Sequence, residues 1–247
     1  MKVLKHIPPK LKMPEFQVDE PLSIHLNDDP LLKKLNRSFT CGLIGKAGSG
    51  KTSLMVSLLN TPKKMKKIFN KIYLFMPSSS QSSMKNNIFD VLPDDQKFEG
   101  VNFENLSNVY EQLLENSKEK KLSLLIFDDV QSYLKNAEVE INLLHIIANR
   151  RHLRTSIFIL CQNFTKIPKQ IRMAFTDVFL FNVSKEEYKN VYEELLTIPK
   201  NQFLEILKYY KKEKLDNKNS FIFIHDYDKV FINWTEILDD LNEEIKF

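Results

Sequence analysis

Residues Gly45-Lys46-Ala47-Gly48-Ser49-Gly50-Lys51-Thr52 constrain this chain more than any other feature. They match the pattern GxxxxGK[ST], in which glycines allow a tight turn that aims successive backbone N–H groups at phosphate oxygens. The context fits as well. Phe39, Cys41, Leu43 and Ile44 form an apolar, strand-like run before the glycines, and Ser53 to Leu59 has helical spacing after them. A helix that begins at this point adds the positive end of its dipole to the anion site. Four of the five glycines in the chain, Gly42, Gly45, Gly48 and Gly50, fall within nine residues, a concentration that ordinary turn usage does not produce. The nucleotide-binding run is therefore read as Gly45, Lys46, Ala47, Gly48, Ser49, Gly50, Lys51, Thr52 and Ser53. Lys51 is expected to reach the β- and γ-phosphates of a nucleoside triphosphate, and the Thr52 hydroxyl to ligate Mg²⁺.

The rest of the chain alternates strands and helices. Apolar runs at Ile72 to Met76, Leu122 to Phe127, Ser156 to Cys161 and Val178 to Phe181 read as strands. Helices are expected at Ser107 to Ser117, at Ala137 to Asn149 and around Pro168 to Met173. Another should start at Ser184, whose spacing to Glu187 suggests a capping box, and run to about Leu196. A helix from about Lys200 to Lys212, β-rich runs at Phe221 to Ile224 and Val230 to Ile232, and a last helix near Thr235 to Glu244 complete the expectation. Such alternation implies an α/β fold with a mostly parallel sheet covered by helices on both faces. Five prolines within residues 1–37 favour an N-terminal extended arm. The ATPase core is placed at 38–183, and a helical and β-hairpin extension packed on it at 184–247.

At the end of the third strand stand Asp128 and Asp129, at the sheet edge where open α/β folds bind ligands. Asp128 suits Mg²⁺, and Asp129 suits the orientation or deprotonation of an attacking water. Gln162 follows the next buried strand, so it should lie beside Asp128 and could sense the γ-phosphate. Composition narrows the classes further. At 247 residues with 43% apolar and 28% charged residues, the chain can bury one ordinary core. Its longest apolar runs are far too short to cross a bilayer, so no membrane association is expected. Cys41 and Cys161 lie in apolar strands away from any metal-ligand spacing. A net charge of +4 does not identify a partner. Lys63, Lys64, Lys66, Lys67 and Lys71 form one basic run, and Lys208, Lys211, Lys212 and Lys214 another; either could contact nucleic-acid phosphates without reading sequence.

Gly45 to Thr52, Asp128-Asp129, Arg151-His152 before a strand, Gln162-Asn163 and Ile167-Pro168-Lys169-Gln170-Ile171-Arg172 together resemble the genome-packaging ATPases of large double-stranded DNA viruses and virophages, of poxvirus-like type. These belong to the FtsK/HerA superfamily of DNA pumps. The resemblance runs from about Ser38 to Val183. It implies a P-loop NTPase three-layer sandwich, RecA/FtsK-HerA-like, and an ATPase that drives double-stranded DNA into a preformed capsid. It also implies a homo-oligomeric ring, pentamer or hexamer, a capsid or portal-vertex partner, and a place in the host cytoplasm or the virion. Rings of this kind complete each site with an arginine from the neighbouring subunit; Arg151 is the first candidate, with Arg150, Arg154 and Arg172 as alternatives. Many members of the superfamily carry Asp-Glu where this chain has Asp128-Asp129. Competing readings are a related DNA pump or helicase not linked to packaging, a phosphotransferase of the nucleotide-kinase type, and a slow nucleotide-dependent switch.

Overall fold

The computed structural model describes residues 38–60, 68–77, 89, 91–216, 219–233 and 235–236. The elements in chain order are β1 (Thr40–Ile44), α1 (Lys51–Asn60), β2 (Lys71–Phe75), β3 (Lys97–Phe98), α2 (Phe103–Lys118), β4 (Ser123–Asp128), α3 (Ala137–Asn149), β5 (Thr155–Cys161), α4 (Lys169–Arg172), β6 (Asp177–Leu180), α5 (Lys185–Leu195), α6 (Lys200–Asp216), β7 (Ile222–His225), β8 (Lys229–Ile232) and β9 (Thr235–Glu236). They form one nine-stranded sheet in the order β3-β2-β4-β5-β1-β6-β7-β8-β9. The pairings from β3 to β6 are parallel, and β7, β8 and β9 each join antiparallel.

Strand alternation sends side chains to two separate apolar layers. In β4, Leu125 and Phe127 face a layer shared with α2, α3, α5 and α6, while Leu124 and Ile126 face one shared with α1. Every residue of β1, β4 and β5 is buried. Strands covered on both faces need unbroken apolar runs, which is why these three stood out in the sequence. The expected three-layer, mostly parallel fold is the one observed. The segment after residue 184 does more than pack on the core: β7 to β9 lengthen the same sheet through the β6–β7 pairing.

Several local expectations need correction. Helix α2 begins at Phe103, four residues ahead of the expected Ser107, because Asn102 and Asn105 cap each other reciprocally. Only half of the expected capping box at Ser184 exists. The Ser184 hydroxyl accepts the Glu187 N–H at 3.2 Å, but the Glu187 carboxylate turns away to accept the Thr165 hydroxyl at 2.6 Å. Helix α6 continues past Lys212 to Asp216. The last expected helix starts instead as a strand, since Thr235 and Glu236 pair with β8. Asn233, at φ 54, supplies the left-handed turn residue that reverses the chain there. The remainder of that helix, the arm at 1–37 and Lys63, Lys64, Lys66 and Lys67 lie outside the described residues.

Candidate nucleotide-binding site

The parallel strands β1, β4 and β5 end at one edge of the sheet, and their ends hold the site together. The Gly45 N–H donates to the Cys161 carbonyl at 3.1 Å, and the Lys46 N–H to the Asn182 carbonyl at 3.3 Å, so the loop after β1 is anchored to both neighbouring strands. Gly48 and Gly50 take φ values of 71 and 98, which side chains rarely tolerate. A Cβ on Gly45 would stand 2.6 Å from both the Phe181 Cβ and the Ser49 Oγ. The Lys51 ammonium folds back over the loop, donating to the Gly45 carbonyl at 2.7 Å and the Lys46 carbonyl at 3.1 Å. The Ser49 hydroxyl is buried without a hydrogen-bond partner among the described residues. A buried hydroxyl is stable there only if something accepts or donates to it, and an anion on the loop would do so.

Across the loop, the Thr52 hydroxyl donates to Asp128 Oδ2 at 3.0 Å. Asp128 is only 6% exposed, and burial pushes its carboxyl up to about 6, against the pull of the Thr52 hydroxyl and Lys51. Burial in turn lowers the Lys51 ammonium from its ordinary value, with Asp128 and Asp129 holding it up. A carboxylate and a hydroxyl placed side by side next to a phosphate loop form a hard-oxygen donor pair, which suits Mg²⁺. Among the described residues no group of three or more His, Cys, Asp or Glu could hold a metal. A cation here would therefore complete its shell with phosphate and water, as Mg²⁺ does.

Asp129 takes φ 55, which turns it out of the strand line, and Gln162 Nε2 donates to its Oδ1 at 3.2 Å. Gln131 was not anticipated. Its Oε1 accepts the Gln162 backbone N–H at 3.1 Å and the Cys161 thiol at 2.7 Å, tying the exit of β4 to the exit of β5. The available signal was a carboxamide two residues past an acidic pair. Asn219 was also missed: its Oδ1 lies 3.4 Å from the place of a Cβ on Gly50, although it is far from the loop in sequence.

The arginines do not gather here. Arg150, Arg151 and Arg154 precede β5, at the opposite edge of the sheet, and the seven residues of β5 put about 20 Å between them and Gln162. Arg151 and His152 are exposed. Arg150 donates from Nε to the Ser38 carbonyl at 2.7 Å. Arg172 is committed within the chain: it is 8% exposed, pairs with Glu194 through Nε at 2.8 Å and Nη2 at 2.6 Å, and donates to the Ile167 carbonyl at 2.6 Å. Of the second lysine run, Lys211 and Lys212 are exposed, while Lys208 pairs with Glu205 at 2.6 Å. No helix among the described residues is long and apolar enough to cross a membrane.

The family described as Poxvirus A32 protein matches residues 27–243. The DNA packaging protein OPG160 of vaccinia virus (strain Copenhagen) is 32% identical over 160 residues, which are 64% of this chain and 58% of that protein. For the monkeypox virus protein of the same name the identity is again 32%, with 52% of its length covered. The chain thus spans between half and three fifths of these relatives. Among solved structures, the genome packaging NTPase B204 of Sulfolobus turreted icosahedral virus 2, in complex with ATP-γS, superposes with a TM-score of 0.54 at 13% identity, over 81% of this chain and 98% of that one. B204 from Sulfolobus turreted icosahedral virus, a DNA-packaging ATPase, gives 0.52 at 16% identity, over 80% and 97%. At these identities the likeness is one of fold.

Proposed function

The chain belongs to the poxvirus A32 protein family, and from that premise we propose that it is an ATP-driven translocase of double-stranded DNA that packages a viral genome into a preformed capsid. The observation that carries the catalytic part is the meeting, at one sheet edge, of the phosphate loop, the Thr52–Asp128 contact and the Asp129–Gln162 pair. DNA and the capsid enter through the relatives named as DNA packaging proteins. Each residue has a role that its position supports. Backbone N–H groups of residues 45–53 and the N-terminus of α1 cradle the phosphates. Lys51 exchanges its loop carbonyls for β- and γ-phosphate oxygens, for which a lysine released from two neutral acceptors is well prepared. Thr52 and Asp128 would hold Mg²⁺, which would supply positive charge to offset that of the phosphates.

Asp129 accepts the proton of the attacking water, and Gln162, already bonded to it, orients that water and registers whether the γ-phosphate is present. Arg151 cannot reach its own site across the sheet, so it serves a neighbouring subunit's ATP in a homo-oligomeric ring. Its exposure leaves the guanidinium available for that role. The double-stranded DNA is held through its phosphates, without base reading, and the reaction belongs to the host cytoplasm where virions assemble. The test is the steady-state ATPase rate with and without long double-stranded DNA across a salt series, beside Lys51→Ala. Turnover that rises with DNA, falls with salt and vanishes in the variant supports the motor; turnover indifferent to DNA favours a switch or phosphotransferase.

A further inference from the structure

Gln131 stands two residues past Asp129, on the segment that leaves β4, and its side chain crosses to the exit of β5. There its Oε1 accepts the Gln162 N–H at 3.1 Å and the Cys161 thiol at 2.7 Å. A backbone N–H can only donate, so the oxygen of the carboxamide faces it and the amide has a single orientation. The thiol, pushed up to about 12 by burial, keeps its proton and remains a donor. At the other end of Gln162, Nε2 donates to Asp129 Oδ1 at 3.2 Å. Two hydrogen bonds and the chain from Asp129 to Gln131 thus close a ring through the candidate base and the candidate sensor. That ring rests on fixed backbone. The Asp129 N–H donates to the Leu160 carbonyl at 3.3 Å, and the Cys161 carbonyl accepts the Gly45 N–H at 3.1 Å.

A glutamine at the end of a strand has several staggered rotamers open to it, and only some bring its carboxamide to a given carboxylate. Gln162 is held at both ends, its N–H by Gln131 and its carboxamide by Asp129. We propose that Gln131 is a positioning residue for hydrolysis, acting through Gln162 rather than on the phosphate, so that base and sensor keep one mutual arrangement through the chemical step. This rests on the reading of Asp129 as base and Gln162 as sensor. Misplacing a reacting group by about 1 Å costs about a hundredfold in rate. Loss of the Gln131 acceptor therefore falls on the chemical step, while nucleotide affinity, which the phosphate loop supplies, is retained. A carboxamide that merely tied β4 to β5 would act on stability, and its loss would not depend on whether Gln162 is present.

Single-turnover hydrolysis and equilibrium titration with MgATP test the assignment on the wild type, Gln131→Met, Gln162→Ala and the double variant. Methionine matches the length of glutamine but offers only a weak thioether acceptor. Gln131 is partly exposed, so Gln131→Ala leaves room for water to accept both donors and repeats the test if Gln131→Met does not fold. The expected result for Gln131→Met is a rate about 10- to 100-fold below wild type, with MgATP affinity unchanged within about twofold. In the Gln162→Ala background the same substitution should change the rate by less than about twofold, because the side chain that it positions is gone. Wild-type rates in the Gln131 variants, a loss that appears in affinity instead of rate, or losses that multiply in the double variant would overturn the positioning role and leave base and sensor in place. Gln162→Ala hydrolysing at the wild-type rate would overturn the sensor reading, and the positioning role with it.

Discussion

At Asp129 the backbone stands at φ 55, where Asp and Asn are tolerated far better than longer side chains. This gives a physical reason for Asp where many related pumps carry Glu: the turn that presents the carboxylate to Gln162 is one that a short side chain adopts at little cost. Asp129→Asn should keep stability within about 0.5 kcal/mol of wild type and retain ATP binding, while turnover falls about 10²- to 10⁴-fold. Thermal unfolding, nucleotide titration and single-turnover kinetics would check the three parts, and Asp129→Asn turning over at the wild-type rate would remove the base role. Asp128 and Thr52 were readable because a linear motif and a strand end specify them without knowledge of the rest of the chain. Gln131 and Asn219 were not, because their roles depend on the β4–β5 register and on where the chain returns after α6, facts of tertiary structure that no local pattern carries.

The elements legible in the sequence were those with a single dominant cause. Buried strands β1, β4 and β5 announce themselves as apolar runs, and α3 by its period. Where two side-chain partners compete, sequence reading failed: Glu187 could cap its own helix or bond Thr165, and only the packing of α5 against the 164–166 turn decides for Thr165. The short hairpin from β8 to β9 was hidden because helical spacing after residue 235 outweighed the turn tendency of Asn233. The α4–α5 pairing offers a prediction at this scale. Arg172 and Glu194 form a two-point ion pair with side-chain exposures of 10% and 21%, so Arg172→Ala leaves a carboxylate and two carbonyls short of donors. The expected loss is about 3–5 kcal/mol in chemical denaturation. An Arg172→Ala protein of wild-type stability but impaired turnover would instead restore this residue as the arginine that acts between subunits.

At the scale of the whole molecule, burial raises several weak acids in both apolar layers together. The Cys161 thiol is pushed up to about 12, and Cys41, Tyr73, Tyr188 and Tyr210 are also raised by burial. The folded chain holds these protons more tightly than the unfolded chain. Stability is therefore fully present below about pH 9, the thiol's ordinary value, and declines as pH rises toward the folded values. Each group that titrates only on unfolding removes about 1.4 kcal/mol per pH unit. Melting temperatures from pH 8 to 11 should fall progressively, and Cys161→Ala should flatten the first part of that fall; an unchanged slope would mean that the thiol is not so confined. A second prediction concerns subunits. Arg151→Ala alone should lose about a thousandfold in DNA-stimulated turnover, and mixing it with Lys51→Ala should restore part of the activity, because each variant supplies what the other lacks. No recovery on mixing would place the arginine elsewhere.

The seven residues of β5, all buried, pair with β4 over Thr155–Leu160 and with β1 over Ile157–Cys161, and run from the Arg150–Arg154 turn to Gln162. A strand gripped on both sides neither stretches nor bends locally. In mechanical terms it is a pushrod, and the separation of its two ends is fixed by covalent geometry. Under the proposed function, displacement at the Gln162 end would arrive at the far edge carried by the sheet as a body.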